Sequence, residues 1–88
     1  MILVIYYEIQ FWNDSLQIGA KQYSSPINAV RAFRNIKNNR EGAYYCGGEK
    51  IDISHVYDSD CIDKDIVFIN WNENLFIELK KIEIKYED

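Results

Sequence analysis

The chain has 88 residues, room for one hydrophobic core and one domain. Hydrophobic residues make up 48% of it, which excludes a disordered polypeptide. A formal charge of −4 argues against nucleic acid as the main partner and favours association with cationic surfaces.

The run Met1–Tyr7 ends at Glu8, too soon to cross a bilayer, and lacks the basic leader and small-residue cleavage site of a signal peptide. The expectation is a cytoplasmic protein with no membrane partner, in which Cys46 and Cys61 stay reduced.

Ile2 to Trp12 alternates as a strand, with Leu3, Ile5, Tyr7, Ile9 and Phe11 on one face. Leu16 to Tyr23 alternates as well. A two-residue turn at Asn13-Asp14 sets Phe11 opposite Leu16, Ile9 opposite Ile18 and Tyr7 opposite Ala20. Ser24-Ser25-Pro26 then opens a helix, because a serine oxygen can accept from the first-turn amides and proline needs no amide there. The helix extends to about Asn39, with Ala29, Val30, Ala32, Phe33 and Ile36 as its apolar stripe.

Gly47-Gly48 supplies the positive backbone angles of a tight hairpin and places Tyr44 against Ile51 and Tyr45 against Lys50. Ser54 to Lys64 reads as a polar loop or a single helical turn. A third hairpin turns at Asn72-Glu73-Asn74, pairing Trp71 with Leu75, Ile69 with Ile77 and Val67 with Leu79. The apolar parity then flips to Ile82, Ile84 and Tyr86, and a bulge at Lys80-Lys81 would restore each face. The result is a single α+β domain over 1–88, with the order ββα followed by β-hairpins and one helix across a twisted antiparallel sheet. The order of the first five elements resembles that of a β-grasp domain, a likeness of topology that implies no function.

Chemistry is harder to find. Cys46, His55 and Cys61, with Asp58, Asp60 or Asp63, carry the right atoms for zinc, yet the ligand spacing matches no compact zinc pattern. The segment 58–65 alternates carboxylates without the glycine or the closing glutamate of a calcium loop. His55 is the single histidine and no oxyanion loop accompanies it, so the sequence predicts no catalytic residue, metal or cofactor. Arg31, Arg34, Lys37 and Arg40 form a basic helix side, and Tyr6, Tyr44, Tyr45 and Trp71 could stack on bases. A nucleic-acid-binding module is therefore one alternative; a small His-Cys metal protein is another.

The leading expectation is a small non-enzymatic inhibitor or adaptor that occludes a basic protein surface, such as that of a nucleic-acid-processing enzyme. Its contact residues are expected in the acidic loop: Tyr57 as anchor, with Asp58, Asp60, Asp63 and Asp65 as carboxylates. Abundant Ile, Asn, Lys and Tyr in so short a chain suggest a phage or mobile-element anti-defence protein, anti-CRISPR-like in kind. Homodimerisation through an exposed sheet edge is a structural variant of the same expectation.

Overall fold

The computed structural model describes residues 1–36, 40–58 and 60–87, with the side chains of Tyr57, Asp58, Asp60 and Cys61 outside that description. Strands β1 (Ile2–Asn13) and β2 (Leu16–Tyr23) lead into helix α1 (Pro26–Arg34). Strands β3 (Gly42–Cys46) and β4 (Glu49–Ile51) form the second hairpin. Two 3₁₀ turns follow, Ile53–Asp58 and Asp60–Asp63, and then β5 (Ile66–Asn70) and β6 (Leu75–Tyr86). All strand pairs are antiparallel, in the order β2-β1-β6-β5-β3-β4, with α1 across one face: an α+β domain.

The helix buries Ala29, Val30 and Phe33 against Tyr7, Ile9, Ile77 and Leu79, inward side chains of the neighbouring strands β1 and β6. Removing that apolar surface from water is the main stabilising term. Ser25 holds the N-cap position without a side-chain cap bond; its carbonyl accepts from the Ala29 amide at 3.1 Å instead. The helix ends at Arg34, capped by Asn35, earlier than the periodicity predicts, and residues 37–39 lie outside the described ones. The segment expected as a loop or a single helical turn is two 3₁₀ turns, anchored in the core by their apolar residues. Val56 is fully buried, and Ile53 and Ile62 pack on the core beside α1.

The Gly47-Gly48 hairpin has the expected register, with φ of 61° and 86° at the two glycines. The other two hairpins do not. The first turns one residue later, so Asn13 meets Leu16, and the register shift after Trp12 makes Ile18 an extra residue. That bulge brings Tyr23 opposite Tyr7, where it packs on the core and feeds the chain into α1. Leu16 and Ile18 are left exposed.

In the third hairpin, Ile66 faces Leu79 and Phe68 faces Ile77, one residue out of the expected register. Asn70 accounts for the slip. Its buried side chain accepts from the Asn72 amide at 2.9 Å, and the Trp71 amide donates to the Glu41 carbonyl at 3.1 Å, holding a longer loop. Val67, Ile69 and Trp71 consequently point away from the helix. No bulge interrupts Lys80-Lys81. β1 and β6 pair without a break from Ile2–Tyr86 to Asn13–Leu75, and the parity flip puts Ile82, Ile84 and Tyr86 on the helix-free face.

Candidate protein-binding surface

Antiparallel sheets often turn one face to water, and that face is ordinarily polar. Here it is largely apolar. Beyond Tyr7, where β2 stops, and beyond Leu79, where β5 stops, β1 and β6 continue as a two-stranded ribbon. On the helix-free side the ribbon carries Ile2, Val4 and Tyr6 against Tyr86, Ile84 and Ile82. Across Glu8 and Lys80 the same face continues with Trp12 stacked on Phe76, ring centroids 5.7 Å apart and nearly parallel. The indole N–H of Trp12 is buried with no acceptor among the described residues.

Further across the sheet, Tyr45, Val67 and Ile69 form the floor of an open concavity of about 620 Å³. Its rim carries Lys64, Asp65, Glu78 and the Gly47-Gly48 turn. The strands fix this arrangement: Tyr45 pairs with Val67, Ala43 with Ile69 and Val67 with Glu78, so all share one face. Ile69 keeps 42% of its surface exposed. Trp71 is exposed at the end of β5, with the Lys50 ammonium 5.9 Å from its ring centroid.

The expected contact residues divide between the two sides of the sheet. Asp65 stands on the rim of the concavity, in line with Val67 and Ile69. Asp63 lies on the helix side, where Lys81, the partner of Tyr7, donates to its carboxylate at 3.0 Å. That hydrogen bond and the Asp63 charge hold the Lys81 ammonium above its ordinary pKa. The backbones of Tyr57, Asp58 and Asp60 belong to the 3₁₀ turns, and their side chains lie outside the described ones.

The side chains of Cys61, Asp58 and Asp60 lie outside the described ones, and Cys46 and His55 do not meet. Cys46 is buried in the core opposite Ile66, whereas His55 is exposed, 3.6 Å from Asp52. Asp52 accepts from the Ser54 hydroxyl at 2.7 Å and the Ser54 amide at 3.0 Å. These bonds, then the charges of His55 and Arg34, hold its carboxyl below the ordinary range. Among the described residues no three of His, Cys, Asp and Glu converge on a metal position. Arg34 donates to the Ser54 carbonyl at 2.6 Å on the helix layer, while Tyr45 and Trp71 belong to the opposite side of the sheet. Tyr44 packs against Phe33 and Phe68, and burial pushes its hydroxyl pKa up. Among the described residues, Arg34 on the helix layer and Tyr45 and Trp71 on the helix-free face are thus separated by the sheet.

Compared with protein-family models, curated proteins and solved structures, the chain matches none. Among the described residues no helix is long and apolar enough to cross a membrane. Sequence periodicity missed Tyr45, Val67 and Ile69 as surface residues because β5 is apolar on both faces. The signal available was Asn70, whose side chain lengthens the turn and decides which face turns outward.

Proposed function

We propose that this protein is a small non-enzymatic inhibitor or adaptor that binds another protein through its helix-free sheet face and acts by occluding it. The observation that carries this reading is the apolar floor of Tyr45, Val67 and Ile69, left open beside Asp65 on a rigid antiparallel sheet. Contiguous apolar surface edged by polar groups is how a domain presents itself to another macromolecule. The sheet fixes these side chains before contact, so little conformational freedom is lost on binding.

The partner that fits has an apolar projection for the concavity and a basic group facing Asp65 and Glu78 on its rim. A nucleic-acid-processing enzyme with a basic phosphate-binding groove meets that description, and it is the target an anti-defence protein would have.

The test is affinity capture from host and phage-infected lysates with wild-type protein and with Ile69→Lys, followed by titration of the purified partner. Wild type should give a saturable stoichiometric complex that Ile69→Lys does not. Its association rate should fall as salt is added. A partner held equally well by both proteins would place the contact elsewhere.

A further inference from the structure

We propose that this chain forms a weak symmetric dimer in which the helix-free faces of two β1–β6 ribbons lie against each other. The ribbon is the part of the sheet that its own chain leaves uncovered. Three cross-strand pairs make its helix-free face, Ile2 with Tyr86, Val4 with Ile84 and Tyr6 with Ile82, and none of these side chains is charged. Ile2, Val4 and Tyr86 keep 57%, 39% and 52% of their surface exposed. On the opposite face Leu3 pairs with Lys85 and Ile5 with Glu83, so water finds charged groups on that side alone.

A second copy suits this face because the face is complementary to itself. A twofold axis lying in the interface, across the strands at the level of Val4 and Ile84, runs the two ribbons antiparallel. Each β1 then lies over β1 and each β6 over β6. Tyr6 of one copy meets Ile2 of the other and Tyr86 meets Ile82, an aromatic side chain against an aliphatic one in both rows. The second ribbon also finds room. α1 and the 3₁₀ turns stand on the other side of the sheet, and β2 and β5 lie within it. A ribbon about 10 Å above the sheet therefore meets no backbone of the first copy among the described residues. The overlap ends at Tyr6 and Ile82, short of the charged pair of Glu8 and Lys80. An axis along the strands would instead stack the two bodies and bury Glu8, Lys80 and Glu78 of both copies, a desolvation cost that the antiparallel overlap avoids.

The area sets the strength. The six side chains leave on the order of 400 Å² of apolar surface per copy, the size of patch that marks an interaction site. Closing two such faces removes on the order of 800 Å², which corresponds to a reversible, concentration-dependent contact. The two bodies lie at opposite ends of the overlap, so Tyr45, Val67 and Ile69 stay open in each copy. Self-association and partner binding can therefore be lost separately.

Sedimentation equilibrium from micromolar to millimolar concentration reads the mass. The wild-type average should rise from 10.4 kDa toward twice that value and stop there. On the same series, amide shifts should move in Ile2–Tyr6 and Ile82–Tyr86 and hold still in β3. Val4→Lys and Ile84→Lys, which each set like charges beside the axis, should stay single chains with dispersed amide spectra. Tyr86→Lys, at an exposed position, gives the same reading should either central variant fail to fold. Leu3→Lys, on the opposite face, and Ile69→Lys, in the concavity, should associate like wild type. A wild-type mass of 10.4 kDa at every concentration, or one that grows past the dimer, would overturn the proposal. So would a folded Val4→Lys, Ile84→Lys or Tyr86→Lys that still associates, or a folded Leu3→Lys that does not.

Discussion

Lys81 donates a 3.0 Å hydrogen bond to Asp63, fastening the second 3₁₀ turn to the root of the β1–β6 ribbon. The contact joins β6 to a segment that otherwise reaches the core through Val56 and Ile62. Lys81→Met should leave the melting temperature nearly unchanged, because exposed ion pairs contribute little. Amide exchange in Ile62–Asp65 should rise in that variant, and exchange matching wild type would contradict the tether. The folded pKa of Lys81 is raised, so its contribution is complete below the ordinary value of 10.5 and is lost only as pH climbs through the higher folded value. Once the base-catalysed intrinsic rate is divided out, wild-type protection of this segment should therefore fall only in that upper range.

Asp52 has the opposite sign. Its folded pKa is lowered, first by the hydrogen bonds from Ser54. The stability it adds is present above the ordinary carboxylate range and is lost as pH falls through the lowered folded value. Ser54→Ala removes the hydroxyl donor and keeps the amide donor. The Asp52 titration midpoint, followed by NMR, should rise part of the way to its ordinary value, with a shallower acid loss of stability. An unmoved midpoint would mean that the hydroxyl does not set it.

Gly42 begins β3 opposite Asn70. A Cβ there would run into the Ile69 carbonyl oxygen and the Phe68 ring. The carbonyl belongs to a paired strand and cannot move aside without disturbing the ladder. Gly42→Ala should cost about 1–3 kcal/mol, as overpacking does. Thermal denaturation would read this as a drop of roughly 4–8 °C per kcal/mol for a domain of this size.

Much of the fold was legible in the sequence, and the failures have a common cause. The helix stripe, the β1 alternation and the Gly47-Gly48 register each have one face clearly apolar or a turn with one solution, and each is found as expected. Ile66–Ile69 is apolar on both faces, so alternation cannot choose a register, and a one-residue slip exchanges every side chain between core and surface. The parity flip in β6 misled for a related reason. A bulge would keep the apolar residues inside, whereas the strand pairs without a break and leaves them on the helix-free face. The acidic segment was visible as composition, but its division between the two sides of the sheet, Asp63 on Lys81 and Asp65 beside Val67, depends on where the chain enters β5.

The measurement closest to the central claim is the affinity of the purified partner for wild type and for Ile69→Lys, by titration calorimetry at matched salt. Ile69 is solvent-exposed, so the substitution should shift stability by less than about 1 kcal/mol. The expected result is a one-to-one complex whose Kd rises at least about tenfold in the variant, a loss of about 1.4 kcal/mol. Equal Kd values, or no protein that saturates the wild-type surface, would contradict a role exercised through the helix-free face.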